Sequence, residues 1–211
     1  MADDKQSLRT IFARSREALD RSAAERLSAS IQRRLIDWDG YRHSGAILLY
    51  AAAGGEVATD ALFADALAAG KSVFYPRLNA SRDRVEIVAL GDRASLRPGA
   101  YGILEPQGEE LAKPGDLDRL LICVPGLAFS VAGVRLGRGG GHYDRLLAVL
   151  APPAVTVGLA YSFQLLDELP SKSHDRRLDF IVTESALHPT GVDAPALARS
   201  GTDKGGTPRW C

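Results

Sequence analysis

The residues best suited to chemistry are concentrated in the stretch GVRLGRGGGHYDRLLAVL, from Gly133 to Leu150. Glycines at 133, 137, 139, 140 and 141 interleave with Arg135 and Arg138, and His142, Tyr143 and Asp144 follow directly. Glycine lets the backbone take positive φ and approach a ligand closely, so several amide N–H groups can converge on one anion. The arginines add positive charge, and Asp144 offers the hard oxygen that a Mg²⁺ ion beside a nucleotide phosphate requires. A glycine-rich turn or helix cap fits the same residues. Neither familiar glycine motif decides between a phosphate cradle and a turn: a P-loop needs Gly-Lys-Ser/Thr, but there is no lysine between Lys113 and Lys172, and a dinucleotide loop needs glycine where His142 stands.

To act as a cradle, the loop must open onto a helix. Leu120 to Val124 reads as a buried strand stopped by Pro125 and Gly126, and Tyr143, Leu146, Leu147 and Leu150 follow at helical spacing. The glycines then lie between a strand and a helix N-terminus, where unpaired N–H groups and the positive end of the dipole favour an anion. Upstream, residues 5–19 carry Leu8, Ile11, Phe12, Ser15 and Leu19 on one helical stripe. A second helix begins at a Ser22/Glu25 capping box and continues through Leu27, Ile31, Leu35 and Trp38. Residues 46–50 and 72–76 read as strands, and between them 59–70 reads as a helix capped by Thr59 and closed by Gly70. RVEIVAL, 84–90, alternates like an edge strand, residues 91–116 are mostly irregular, and AVTVGLAY and DFIVTE add two strands.

Strands alternating with helices predict an α/β fold: a single three-layer domain over 1–187 with a largely parallel sheet and two N-terminal helices, followed by a flexible tail over 188–211. In such sheets sites form beyond the carboxyl ends of the strands. Lysines plus arginines number 26 and aspartates plus glutamates 26, so no net field draws the chain to nucleic acid or a membrane surface. A small-molecule partner is expected instead. No apolar run is long enough to span a bilayer and no secretory signal pattern opens the chain, so a cytoplasmic location is expected. Cys123 and Cys211 suggest neither a disulfide framework nor a zinc site.

PGLAFSVAGVRLGRGGGHYDRLL resembles the long motif of the 5-formyltetrahydrofolate cyclo-ligases, also called methenyltetrahydrofolate synthetases. KQSLR at 5–9, GEVAT at 55–59, YPR at 75–77, YGILEP at 101–106 and HDRRLDFIVTE at 174–184 agree in order and extend the resemblance over nearly the whole chain. The resemblance implies a Mg²⁺-assisted cyclisation of 5-formyltetrahydrofolate to 5,10-methenyltetrahydrofolate, with ATP as co-substrate and ADP and phosphate released.

Position by position, the resemblance implies ATP binding by Lys5, Arg9 and the loop Arg135, Leu136, Gly137, Arg138, Gly139, Gly140, Gly141, His142 and Tyr143. Arg138 is the residue expected to touch the transferring phosphoryl group. Glu56, Arg138, Gly139, Gly140, Gly141 and His142 match the folate site, and Asp144 and Asp175 match the magnesium carboxylates, with His174 placed to orient Asp175. Gln164, Thr183 and Glu184 match the pattern without an assigned role. Two positions depart from it: Ser130 replaces an aspartate and His142 a tyrosine, which puts folate affinity in question more than ATP binding. A folate- or nucleotide-binding relative without catalysis, or another enzyme on a related isomerase or CoA-transferase-like scaffold, stands as the alternative.

Overall fold

The computed structural model describes residues 2–79, 81, 84–99, 102–150, 154–171 and 175–191. His174, Tyr101, Cys211 and the rest of the segment 192–211 lie outside the described residues. The centre is a sheet of seven strands: β1 (Ala46–Leu48), β2 (Ser72–Leu78), β3 (Val85–Ala89), β6 (Leu120–Val124), β9 (Val155–Leu159), β11 (Phe180–Val182) and β12 (Leu187–Pro189). Their order is β12-β11-β9-β6-β1-β2-β3. The inner pairs are parallel, and only the two edge strands, β3 and β12, run antiparallel to their neighbours. The edge position of RVEIVAL agrees with its alternation. In β12, His188 and Pro189 pair with Ile181 and Phe180, so the last strand runs past residue 187, where the sequence suggested a tail.

Period-two geometry sends alternate residues to opposite faces, and both faces here are apolar because both are covered. Ile47, Val73, Tyr75, Leu121, Cys123 and Val157 meet Ile31, Leu35, Leu62 and Ala66 of the helices α2 (Arg21–Asp37) and α4 (Asp60–Ala68). Ala46, Leu48, Phe74, Leu120 and Ile122 turn the other way, onto Leu146 and Leu147 of α5 (His142–Leu150). Each such side chain contributes roughly 1.5–3 kcal/mol by leaving water, which fixes the three layers. A short helix α3 (Asp39–Arg42) links α2 to β1.

The first helix, α1 (Ala2–Glu17), packs elsewhere. Its Phe12 joins Leu127, Ala128, Val134 and Leu136 over a small second sheet of β7 (Ala128–Ser130), β8 (Arg135–Leu136) and β10 (Leu165–Leu166). The buried stripe differs from the expected one: Ile11 is exposed, Ser15 is exposed, and Phe12 and Arg16 face inward. The β7–β8 hairpin also intervenes between β6 and the glycine loop, which the sequence had joined directly. A two-strand ribbon, β4 (Arg97–Pro98) with β5 (Leu104–Glu105), is the main regular structure in the stretch read as irregular.

Two caps differ from expectation. The α2 cap is Asp20, whose carboxylate accepts from the Ala23 amide at 3.1 Å, while Ser22 donates its hydroxyl to that carboxylate at 2.6 Å. These hydrogen bonds, the Ser22 one foremost, hold the Asp20 carboxyl below the usual carboxylate range. At α4 the Thr59 hydroxyl donates instead to the Tyr50 carbonyl at 2.8 Å, and Gln32 of α2 accepts from the Ala61 and Leu62 amides at 2.8 and 3.3 Å. The free N–H groups of α4 are thus satisfied from a neighbouring helix.

Ser130 sits at the β7–β8 turn, 1% exposed and away from any lining of the main cleft. Its hydroxyl accepts from the Val134 amide at 3.2 Å, a task an aspartate carboxylate performs equally well. The departure at 130 is therefore conservative for the turn. Ser130→Ala strands a buried amide and is expected to lower unfolding free energy in urea by about 1–3 kcal/mol. An unchanged urea midpoint would show that the hydroxyl contributes nothing to the turn.

Candidate active site

Strand β1 lies between β2 and β6, where the chain reverses its direction of travel across the sheet. Loops leaving the carboxyl ends of neighbouring strands separate at such a point and open a crevice. A cleft of about 380 Å³ occupies it, lined by Tyr50 and Ala51 after β1, by Pro76, Arg77 and Leu78 of β2, and by Pro125 and Gly126 after β6.

The glycine loop and the start of α5 form one wall. Every residue from Arg135 to Asp144 contributes to the lining. Gly139 and Gly141 have φ of +104° and +66°, backbone that a side chain disfavours, so the loop bends onto the helix N-terminus as the composition predicts. From α1, Lys5 and Arg9 line the same cleft, and the Arg9 Nε donates to the Gly137 carbonyl at 3.0 Å. The first helix therefore holds the loop in place as well as supplying charge.

Each remaining cation meets a carboxylate. Lys5 Nζ lies 2.8 Å from Asp175 Oδ2, and Arg135 Nη2 lies 2.9 Å from Asp144 Oδ1. The two carboxylates expected to hold a metal thus line one cleft although they come from segments 31 residues apart in number. Among the described residues no three His, Cys, Asp or Glu side chains gather as a metal cage. That donor set fits Mg²⁺, which keeps several waters and uses one or two carboxylates together with substrate phosphates.

At the opposite wall Arg138 Nη2 donates to the Ala53 carbonyl at 2.7 Å and to Glu56 Oε1 at 3.2 Å. Glu56 Oε2 accepts from the Ala53 amide at 3.1 Å. Gly54, at φ +59°, makes this turn, and a Cβ there would meet Arg138 Nη2 at 2.8 Å. Behind Glu56 is Arg16, whose Nη1 stands 3.7 Å from Oε1 and donates to the Gly126 carbonyl at 3.2 Å. Burial lowers the affinity of the Arg16 guanidinium for its proton and the Glu56 carboxylate raises it.

Two aromatic residues complete the lining. The Tyr143 ring lies under the Arg135 guanidinium at 5.5 Å, and its buried hydroxyl has no hydrogen-bond partner among the described residues. Burial, then Glu56, pushes that phenol well above its ordinary value, so it remains a donor. His142 lines the rim, where burial and Arg145 hold its imidazole below 6.5.

The structure brings Lys5, Arg9, Glu56, Arg135 to Asp144 and Asp175 to one cleft. Gln164 and Glu184 stay outside it: Gln164 donates to the Gly126 and Leu127 carbonyls, and Glu184 accepts from the Ser162 amide. Thr183 closes the β11–β12 turn. Sequence reasoning missed the apolar wall of Pro76, Leu78, Val85, Ile103 and Leu104, although YPR and YGILEP mark parts of it. It also missed Arg16, whose signal was a charged residue one turn beyond Phe12 on the inward stripe.

The site sets the glycine loop and the cations of α1 beside an apolar wall at the switch point of a mostly parallel sheet, an arrangement that defines an α/β protein with a ligand-sized cleft. Comparison with known proteins makes the class specific. The 5-formyltetrahydrofolate cyclo-ligase family matches residues 1–184, and the chain belongs to that family. A 5-formyltetrahydrofolate cyclo-ligase of Mycolicibacterium smegmatis is 31% identical over 85% of this chain and 93% of its own. That of Mus musculus is 30% identical over 78% and 87%. The solved 5,10-methenyltetrahydrofolate synthetase of Aquifex aeolicus superposes with a TM-score of 0.76 at 31% identity, covering 96% of both chains. Among the described residues no helix is long and apolar enough to cross a membrane.

Proposed function

We propose that this protein cyclises 5-formyltetrahydrofolate to 5,10-methenyltetrahydrofolate at the expense of ATP, which leaves as ADP and phosphate. The observation that carries this reading is the contact of Arg138 with Glu56, which joins the glycine loop to the Ala53–Glu56 turn across one cleft. Family membership supplies the chemistry.

A formamide oxygen is a poor leaving group. Transfer of the γ-phosphoryl group to that oxygen breaks the bond to ADP and makes the oxygen part of a phosphate ester, leaving the formyl carbon bonded to N5 as an iminium. The neighbouring N10 attacks that carbon, loses its proton, and phosphate departs with the oxygen. The protein's task is to align three groups and neutralise charge. Amides of Gly137 to Gly141, with Lys5 and Arg9, hold the phosphates, and Arg138 meets the transferring group. Glu56 presents its carboxylate to pterin N–H groups, His142 covers the ring, and the apolar wall excludes water. Asp144 and Asp175 would hold Mg²⁺, which supplies charge neutralisation at the phosphates when bound. Formation of methenyltetrahydrofolate, followed by its absorbance with and without ATP, tests the reading; no product in the presence of Mg²⁺ and ATP rejects it.

Arg138→Ala is expected to reduce kcat by about two to three powers of ten, with a smaller change in ATP affinity, because charge aimed at a transferring group acts in the transition state. Near-normal turnover would remove Arg138 from that role.

Asp144→Asn and Asp175→Asn should each raise the Mg²⁺ concentration needed for half-maximal activity, since the amide keeps shape and loses charge. Superimposable Mg²⁺ titrations would return both to structural ion pairing with Arg135 and Lys5.

Burial, then Arg145, disfavours the charged imidazole of His142. Folate affinity of the parent and of His142→Tyr is therefore expected to follow one pH dependence from about pH 7 upward and to separate on the acid side. His142→Ala should weaken folate roughly three- to tenfold by losing the aromatic face. Parallel profiles at every pH, with full affinity in the alanine variant, would exclude contact with folate.

A further inference from the structure

We propose that Arg16 is a positioning residue for this reaction, holding the Glu56 carboxylate in register from beneath the cleft and keeping it compensated when Arg138 engages the phosphoryl group. The inference rests on the folate role given to Glu56 above.

Arg16 is 4% exposed at the end of α1, and it does not line the main cleft, so it acts through a neighbour. A buried guanidinium is costly unless its donors are matched. Here Nη1 donates to the Gly126 carbonyl at 3.2 Å and faces Glu56 Oε1 at 3.7 Å, while the buried Nε has no hydrogen-bond partner among the described residues. Packing alone favours an apolar residue at this position, since Phe12 one turn earlier sits in an apolar cluster. The remaining account of the charge is the carboxylate.

Two arginines share that one carboxylate oxygen, and their surroundings differ. Arg138 reaches Oε1 at 3.2 Å from the rim with its side chain 50% exposed, whereas the Arg16 side chain is 3% exposed. The exposed partner is able to leave and the buried one is not. Once Arg138 leaves, the Glu56 side chain, 11% exposed, keeps the Ala53 amide and Arg16 as partners, and Arg16 is the charged one. The Gly126 carbonyl also accepts from Gln164 Nε2 at 3.2 Å, so Arg16 is braced against the loop that follows β6. Three segments of the site, α1, the Ala53–Glu56 turn and the Pro125–Leu127 loop, thus meet at one side chain.

A double-mutant cycle on the full chain tests this. Dissociation constants for 5-formyltetrahydrofolate and for ATP are measured separately in the parent, Arg16→Met, Arg16→Lys, Glu56→Gln and the double variant Arg16→Met with Glu56→Gln, beside thermal unfolding of each. Arg16→Met is expected to weaken folate about tenfold, ATP far less, and to add nothing once Glu56 is replaced by glutamine. Arg16→Lys should recover much of the folate affinity because the charge remains. Folate affinity unchanged in Arg16→Met, or losses that simply add in the double variant, overturn the proposal. Should Arg16→Met not fold, the same cycle with the neutral but polar Arg16→Gln decides it: a loss present only beside the native Glu56 supports the coupling, and an equal loss in the Glu56→Gln background, or no loss at all, rejects it. A parent that neither binds nor converts 5-formyltetrahydrofolate overturns the activity reading itself, whereas an active parent with an additive cycle overturns only the role of Arg16.

Discussion

Cations gathered in one cleft repel one another, and the cleft is built around that constraint. Lys5 is answered by Asp175 at 2.8 Å, Arg135 by Asp144 at 2.9 Å and Arg138 by Glu56 at 3.2 Å. Arg9 is quieted by the Gly137 carbonyl and by Gln6. Exposed pairs of this kind contribute little stability, but the Arg135 side chain is 7% exposed and its loss of a partner would leave a buried charge. The ion pairs thus balance the cations that line the cleft.

Positioning those pairs falls to the sheet. Because β1 has β2 on one side and β6 on the other, Glu56 of the turn after β1, the end of β2 and the Pro125–Gly126 loop after β6 border one cleft. The insertion of β7 and β8 after β6 then carries the glycine loop outward before α5 returns Leu146 and Leu147 to the sheet. Helix α1 closes the arrangement by packing Phe12 on that small sheet while its polar residues reach the cleft. A loop rich in glycine is flexible by itself, and these contacts supply the order it lacks.

The legible parts of this architecture were those written in local pattern. Leu120–Val124 and Val155–Leu159 are continuous apolar runs, buried throughout, and their strands follow the expected residues closely. The glycine loop declared its position through the switch from strand to helical spacing. Caps were less legible, because Gln32 serves α4 from another helix and Asp20 displaces Ser22, choices settled by tertiary contact and by competition among neighbouring polar residues. Arg16 and the apolar wall were hidden for the same reason. Their surroundings come from far away in number: Arg16 meets Glu56 and Gly126, and Leu104 lines one cleft with Leu78 and the glycine loop.

On the proposed reading the carboxylates must change partners during the cycle, and the geometry makes the exchange economical. Arrival of triphosphate gives Lys5 and Arg135 new oxygens, which frees Asp175 and Asp144 for Mg²⁺ without leaving any charge buried alone. Arg138 stands apart, since its carboxylate is the folate-facing Glu56, where the substrate's own N–H groups, with Arg16 beneath, can replace it. On that reading, binding of both substrates frees the half-exposed Arg138 guanidinium from Glu56. Either substrate alone releases only part of the network, so the order of the ion pairs, with the exposed member at Arg138, ties assembly of the catalytic arrangement to occupancy of both halves of the cleft.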